Sequence, residues 1–460
     1  MTAPARGAHP FFHAPRRPAP SLARTHSAAE VAAGLRGELA GLGVELAGAL
    51  PAQPFVLPRR SYDELFVVGK VLLGLVRRAV LSLGPTWPER LVALGADPAD
   101  HPLFSGLDNT ETDYCAMMAR ADIVVGEAGP QLLGFDVGDA FGGPHETHAF
   151  TRVWRRTHTE DGRPPFTGHD PLAARAAAFE DVCTRRGLPR ALAVIAPPGG
   201  TARPGDGRFP DRFPGHLPER LPERDLEHFR ARGFEAALFA PEELPGALGR
   251  PGKLRYPLGL RAFAPGDRSQ GGARVEPVRA AQRAGLLLLP PQSGGLLDNK
   301  KALALVSEGL PWMTRGERGL VDRWLPWTRI SVAGRTRWHG TEQELPGLLW
   351  GERERFVLKS AVRAAGRPPL VGRECGARVW AAAVERAFRE GDSVVQEYVE
   401  PAGTLVELTD GDTTWMSRLA PVLSPMLFGG RPGGCWVRSR LEDGATSQNA
   451  VLAWTRDAGR

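Results

Sequence analysis

Three segments of the chain carry residues that could bind a metal-bound nucleotide. The first holds the carboxylates Asp122 and Asp136, the second opens with Asp298-Asn299-Lys300, and the third runs from Phe356–Lys359 to residues 394–399. Acidic oxygens bind Mg²⁺, lysines bind phosphate oxygens, and an apolar strand can frame adenine. The residue types therefore predict an ATP site, with its acidic segment unusually placed first.

The third segment predicts a strand that could frame the base. Alternation over residues 393–401 puts Val395, Glu397 and Val399 on one face and Gln396, Tyr398 and Glu400 on the other. Either Glu397 or Glu400 could bind ribose hydroxyls. A plain edge strand with solvated acids explains the same pattern, and Lys359 taken alone could be an ordinary exposed lysine at a strand end.

The elements that must position these residues are predicted from apolar patterns. Residues 123–125 and 131–135 flank a Glu-Ala-Gly-Pro turn, which predicts a β-hairpin carrying Asp122 and Asp136. Residues 191–196 predict a buried strand, and residues 235–240 and 286–289 predict further strands that alternate with helices, as in a Rossmann-like unit. Residues 65–76 are apolar on nearly every side and predict a buried helix.

Composition limits the class of protein. A chain of 460 residues with 42% hydrophobic residues predicts two or three globular domains. The net charge of +6 suits phosphate-bearing ligands, but no basic stripe with interleaved aromatics indicates a nucleic-acid partner. Four widely spaced cysteines and short apolar runs predict a soluble cytoplasmic protein without disulfides, a zinc site or a membrane partner.

A resemblance to a known family follows from the loop Leu358–Gly372. It aligns without a gap with the glycine loop Leu-Lys-Pro-Ala-Asp-Gly-Tyr-Gly-Gly-Arg-Gly-Val-x-x-Gly of circularly permuted ATP-grasp proteins of the glutathionylspermidine-synthase-like group. The agreeing positions are Leu358, Lys359, Ala361, Gly366, Arg367 and Gly372. Further similar segments are Asp298-Asn-Lys300, Leu325-Pro-Trp-Thr-Arg329, Gln396-Glu-Tyr-Val399, Leu423-Ser-Pro425, Val437-Arg438 and Gln448-Asn449. The resemblance covers residues 110 to 455.

The resemblance implies an α/β fold of the ATP-grasp type, with a Rossmann-like pre-ATP-grasp domain and an ATP-grasp domain in circularly permuted order. The implied divisions are a disordered leader at 1–26, a helical region with the metal-binding hairpin at 27–150, the Rossmann-like domain at 151–297 and the nucleotide-binding domain at 298–460.

The resemblance also implies roles for individual residues. Asp122, Asp136 and Asn449 would lie at the Mg²⁺ ion, and Arg120 or Arg438 would stabilise the acyl-phosphate or γ-phosphoryl charge. The implied ATP-binding residues are Lys300, Lys359, Gly366, Arg367, Gln396, Glu397, Tyr398, Val399 and Glu400.

Departures from the family pattern leave two interpretations open. Gly134 stands where the family has a metal-binding Glu, Asp136 replaces Asn, and three loop glycines are replaced by Arg363, Ala365 and Pro368. The extra charge of Asp136 could offset the lost Glu. We therefore expect an ATP-dependent carboxylate-amine ligase that forms an amide or peptide bond in a small specialised metabolite through an acyl phosphate. The alternatives are a degenerate relative that binds a peptide or partner without catalysis, and an enzyme that joins the carboxylate to a group other than an amine.

Overall fold

The computed structural model describes residues 9–12, 25–42, 49–104, 108–138, 141–159, 162–196, 221–263, 275–362, 368–441 and 446–455. Most of the predicted leader and the loop residues Arg363, Ala365, Gly366 and Arg367 lie outside the described residues.

The strands are β1 Leu50–Pro51, β2 Phe55–Leu57, β3 Met118–Gly126, β4 Gly129–Val137, β5 Phe166–Thr167, β6 Ala191–Ile195, β7 Glu235–Phe239, β8 Gly249–Arg250, β9 Lys253–Leu254, β10 Leu258–Arg261, β11 Leu287–Leu289, β12 Thr328–Ile330, β13 Arg335–Trp338, β14 Thr341–Glu344, β15 Phe356–Ser360, β16 Leu370–Val371, β17 Ser393–Glu397, β18 Thr404–Thr409, β19 Thr414–Leu419, β20 Val422–Phe428, β21 Arg431–Arg440 and β22 Thr446–Trp454. The helices are α1 Ala28–Ala40, α2 Arg59–Leu81, α3 Trp87–Leu94, α4 Asp108–Tyr114, α5 Pro144–Thr157, α6 Pro171–Arg186, α7 Leu221–Ala231, α8 Leu244–Ala247, α9 Val275–Arg283, α10 Gly294–Asp298, α11 Lys300–Glu308, α12 Arg315–Trp324, α13 Leu345–Gly351 and α14 Ala377–Glu390.

A large sheet in the order β2-β22-β21-β20-β3-β4, with β5 beside β22, forms the centre of the fold. Strand β2 runs parallel to β22, and the other neighbours along this order are antiparallel. The predicted hairpin is confirmed, because β3 and β4 pair with Arg120 opposite Asp136 and Asp122 opposite Gly134. The sheet thus joins strands from the first and last parts of the chain.

Helices cover both faces of the large sheet. On one face, Leu65 and Leu72 of α2 belong to the same buried cluster as Ile123 and Val437 of the sheet, which agrees with the buried helix predicted there. Val67 of the same helix is 63% exposed, so the helix also keeps a solvent face despite its apolar sequence. Across the sheet, α6 packs against the other face.

A second sheet has the parallel order β11-β10-β6-β7, which confirms the predicted Rossmann-like unit. Its strand β6 is buried at every position, as its continuous apolar run predicts. Strand β10 was not predicted, because Gly259 interrupts its apolar pattern. A Cβ at Gly259 would lie 3.2 Å from side-chain atoms of Leu286 and Leu288, so the glycine fits a crowded position between helix-covered strands.

A third sheet has the antiparallel order β12-β17-β15-β16 and carries the predicted nucleotide strands. Strand β15 confirms the strand predicted at 356–359. Strand β17 ends at Glu397, four residues before the predicted end, because the chain then leaves the sheet: Tyr398 N donates to Arg355 O, and Ala402 N donates to Val125 O of the hairpin.

Smaller elements complete the fold. Strands β1-β18-β19 form a three-stranded sheet, and β13-β14 and β8-β9 form hairpins. Helix α11 confirms the helix predicted after Asp298. Among the described residues, we find no helix with the length and apolar character that crossing a membrane requires.

Candidate active site

The β3–β4 hairpin carries an ion-pair cluster. Arg120 and Asp122 lie two residues apart on β3, and Asp136 faces Arg120 across the ladder, so the three side chains share one face of the sheet. The same guanidinium nitrogen, Arg120 Nη2, donates to Asp136 Oδ2 and, at 3.4 Å, to Asp122 Oδ2. Arg120 Nη1 also donates to Gly142 O at 2.9 Å. The Arg120 side chain is only 5% exposed.

Two neighbouring strands complete this cluster. Arg438 of β21 pairs with Asp122 Oδ1 at 2.9 Å, and Ser424 Oγ of β20 donates to the same oxygen at 2.8 Å. The guanidinium groups of Arg120 and Arg438 lie over the ring of Trp436, at 5.5 and 4.8 Å from its centroid. The predicted residues Arg120, Asp122, Asp136 and Arg438 are therefore brought together.

The cluster keeps its charges. Burial favours the neutral acid, but the charges of Arg120 and Arg438 and the Ser424 hydroxyl outweigh it and hold the pKa of Asp122 well below its usual range. For Arg120, burial opposes the charged form, but Asp122 and Asp136 outweigh it and raise the pKa of the guanidinium. Asp122 and Arg120 thus stay charged near neutral pH.

The predicted phosphate lysine of β15 reaches the hairpin from the third sheet. Lys359 Nζ donates to Gln396 Oε1 at 2.5 Å and to Leu133 O at 3.4 Å. Gln396 Nε2 donates to the same carbonyl at 3.4 Å and to Thr328 Oγ1 at 3.0 Å. Leu133 immediately precedes Gly134, the residue opposite Asp122. Lys359 and the hairpin carboxylates therefore border the same stretch of β4.

Helix α11 begins beside the end of β15. Its first residue, Lys300, donates its backbone N–H to Ala361 O at 2.9 Å. Asn299 caps the helix, since its side-chain oxygen accepts from Lys301 N at 3.0 Å. The first turn of the helix, where the helix dipole favours anions, thus adjoins the chain just before the predicted phosphate loop.

The predicted adenine and ribose segment lies at the exit from β17, and its two acids have basic partners. Glu397 contacts His339 Nε2 at 3.1 Å and Arg355 at 3.2 Å. Glu400 pairs with Arg373 at 2.5 Å, and the Arg373 guanidinium lies 3.9 Å from the centroid of the Tyr398 ring. Either acid would have to share or exchange these partners to bind ribose.

Backbone bonds fix the same segment. Glu397 N donates to Trp327 O at 2.8 Å, and Tyr398 N donates to Arg355 O at 2.7 Å. Val399 packs against the hairpin, because a Cβ at Gly126 would lie 2.7 Å from Val399 Cγ1. The segment therefore connects the nucleotide strands to the hairpin.

Asn449 has protein partners that hold the edge of the large sheet. Its Oδ1 accepts from Trp154 Nε1 at 2.8 Å, and its Nδ2 donates to Gln53 O at 2.8 Å. The residue is 4% exposed. Its amide thus joins β22 to α5 and to the segment between β1 and β2.

Sequence reasoning missed Ser424, Trp436, His339, Arg355 and Arg373 as members of the site. Ser424 lies in the Leu423-Ser-Pro425 segment that resembles the family, and this was its one sequence signal. The three basic residues come from turns and segments far along the chain from their partners, and no local periodicity marks such pairs.

The hairpin carboxylates suit a hard divalent cation in part. Their Oδ2 atoms converge on one point, now taken by Arg120 Nη2. Within the described ranges, no group of three or more His, Cys, Asp or Glu side chains could hold a metal ion. Mg²⁺ usually keeps water and is bound by one or two carboxylates with substrate phosphates, so this pair of acids fits Mg²⁺ that arrives with a nucleotide.

The sheets and their contact at β4 define the class of the protein as mixed α/β. Among solved structures, a glutathione synthetase-like effector from Globodera pallida matches with a TM-score of 0.56 and 13% identity, over 92% of this chain and 96% of that chain. At this identity the likeness shows the shared fold alone.

A gamma-glutamylcysteine synthetase from Methylobacillus flagellatus KT matches with a TM-score of 0.36 and 12% identity, over 84% of this chain and 85% of that chain. This TM-score is too low to support a shared fold. No family model and no curated protein matches the sequence.

Proposed function

We propose that the protein is an ATP-dependent ligase that activates a small-molecule carboxylate as an acyl phosphate and joins it to an amine. The observation that supports this best is the contact of Lys359 with Leu133 O, because it brings the lysine proposed to bind phosphate to the strand that carries Asp136. A glutathione synthetase-like fold agrees with this chemistry. The product would be an amide or peptide bond in a specialised metabolite, made in the cytoplasm without a nucleic-acid or membrane partner.

In this proposal each residue has one task. Lys300, Lys359, Gly366 and Arg367 bind phosphate oxygens, and the segment Gln396–Glu400 binds adenine and ribose. Asp122 and Asp136 would hold Mg²⁺, which when bound neutralises phosphate charge. Arg438 stabilises the charge that develops on the transferred phosphoryl group. Asn449, whose amide bonds Trp154 and Gln53, would lie near the metal or the phosphate edge.

The proposed site draws on several regions of the chain. The hairpin belongs to the proposed region 27–150, and the nucleotide strands to the proposed domain 298–460, with the Rossmann-like domain 151–297 between them in sequence. The circularly permuted order is part of the same proposal.

Thermal unfolding with ATP and Mg²⁺ tests the nucleotide site. A ligand at about 100 times its Kd stabilises the folded state by about 2.7 kcal/mol, which raises Tm by several degrees. We expect this shift in the wild type and in Lys253→Ala, which removes an exposed lysine of β9, but not in Lys359→Ala. A screen of acids and amines for ADP release then identifies the substrates. An unshifted wild type would rule the nucleotide site out.

The second candidate, binding without catalysis, is favoured by Gly134. A Cβ at this position would meet no atom within 4 Å, so the family's glutamate has room but is missing. We expect Gly134→Glu to separate the two functions. A large gain in ATP turnover would show a decayed site, whereas a loss would show a site adapted to Asp136. The control is Gly347→Glu, which also adds a glutamate at an open position, in α13.

A further inference from the structure

Arg120 occupies the point between the two hairpin carboxylates where a shared cation would lie. Its Nη2 atom donates to an oxygen of Asp136 and, at 3.4 Å, to an oxygen of Asp122, while Nε lies 3.2 Å from the other Asp122 oxygen. Gly142 O holds the remaining nitrogen at 2.9 Å. Both acids therefore direct oxygens at one guanidinium nitrogen instead of at solvent.

The charges of the cluster explain what this contact does. Asp122 and Asp136 carry two negative charges, and Arg120 and Arg438 carry two positive charges. A divalent cation that entered alone would give the cluster an excess positive charge and would have to displace a 5% exposed guanidinium from two acids. A cation that enters with a polyphosphate brings compensating negative charge.

We propose that Arg120 is the resident counterion of the two hairpin carboxylates and excludes divalent metal until a nucleotide brings it. This inference rests on the proposed nucleotide function. It adds a task for Arg120 to the stabilisation of phosphoryl charge that the resemblance implies for Arg120 or Arg438. When metal and nucleotide enter together, the acids exchange the guanidinium for the metal, and the phosphate oxygens become the partners of the released guanidinium. Metal binding is then coupled to nucleotide binding through the position of one side chain.

Arg438 provides a control with the same change of charge. It contacts Asp122 at 2.9 Å and Ser424 Oγ at 3.4 Å, whereas Arg120 Nη2 is the nitrogen that donates to both acids. Arg120→Gln and Arg438→Gln each remove one positive charge, but only the first vacates the point between the carboxylates. A difference in Mn²⁺ affinity between the two variants therefore reports the position of the removed guanidinium rather than the change in net charge.

The experiment is a Mn²⁺ titration of the nucleotide-free protein, followed by the electron paramagnetic resonance signal of free Mn²⁺. We expect the wild type to bind Mn²⁺ too weakly to saturate in the titration. Arg120→Gln should bind Mn²⁺ at least about tenfold more tightly than the wild type, since a like charge at contact distance is removed. Arg438→Gln should gain much less, and adding Asp136→Asn to Arg120→Gln should abolish the gain. Circular dichroism checks that each variant is folded.

Three results would overturn the inference: tight Mn²⁺ binding by the nucleotide-free wild type, equal gains in the two glutamine variants, or no gain in folded Arg120→Gln. If that variant does not fold, Arg120→Lys replaces it, because an ammonium lacks the fork of separate guanidinium nitrogens that bonds both acids and the Gly142 carbonyl. We then expect a gain of about threefold without a change of charge, and an unchanged affinity refutes the inference. Wild-type binding of ATP with Mn²⁺ is measured in parallel, so a failed nucleotide site is recognised separately.

Discussion

The two halves of the candidate site are stabilised in different ways. In the hairpin half, Arg120 and Asp136 are 5% and 17% exposed, and four side chains from adjacent strands cancel each other's charge. In the nucleotide half, Glu397 and Glu400 pair with Arg355 and Arg373, which are 49% and 39% exposed. Buried pairs fix geometry, whereas exposed pairs contribute little and exchange partners easily. The comparison indicates that the hairpin half is rigid and that the half proposed to bind nucleotide is adaptable.

The largest effect should come from breaking one pair in each half. Asp122→Asn leaves Arg120 and Arg438 with one acid between them. We expect a loss of about 2–3 kcal/mol in the free energy of unfolding. This is below the value for a fully buried pair, because Asp122 is 28% exposed. Glu397→Gln should cost less than about 1 kcal/mol, because its basic partners face solvent. Urea unfolding of both variants measures the difference.

Equal losses in these two variants would contradict the comparison. Circular dichroism checks that each variant is folded before the urea unfolding. Glu276→Gln serves as a control, since Glu276 contacts Arg283 on the surface of α9 and both side chains are more than half exposed. We expect its unfolding free energy to stay within about 0.5 kcal/mol of the wild type.

Acid should weaken the hairpin half through Asp122. Its pKa is lowered in the folded state, so its contribution to stability is complete above the pKa of an unfolded aspartate, about 3.9, and is lost as the pH falls toward the folded value. The stability difference between wild type and Asp122→Asn should therefore be constant from pH 7 to 5. Below pH 4 it should shrink by about 1.4 kcal/mol for each pH unit.

Chemical denaturation of both proteins across this pH range measures the effect. Asp122→Asn cannot titrate at this position and supplies the baseline for all other acids. A difference that stays constant down to pH 3 would mean that Asp122 is not held ionised by its two arginines.

Local sequence patterns predicted the elements of the site better than its contacts. The apolar runs at β6 and β15 and the turn between β3 and β4 specify strands by local chemistry, and the structure contains them. The pairing of Glu400 with Arg373 depends on where the chain turns after Glu397, which no alternation pattern encodes. Likewise, the bonds of Asn449 to Trp154 and Gln53 join residues 295 and 396 positions apart, and no local pattern predicts them.

The smallest effect should report the contact between the two halves. Gly126 ends β3, and an alanine there would place its Cβ about 2.7 Å from Val399 Cγ1, so the hairpin or the nucleotide segment must shift. We expect Gly126→Ala to cost about 1 kcal/mol of unfolding free energy, and Val399→Ala to remove most of that cost when the two are combined, as contacting residues couple by about 0.5 kcal/mol or more. A double-mutant cycle with urea unfolding measures the coupling. The control is Gly129→Ala: a Cβ at Gly129 would meet no atom within 4 Å, but this residue has a φ of +113°, so the variant reports backbone strain without the contact. Additive losses for Gly126 and Val399 would mean that the two halves of the site move independently, and the rigid hairpin would then not position the nucleotide segment.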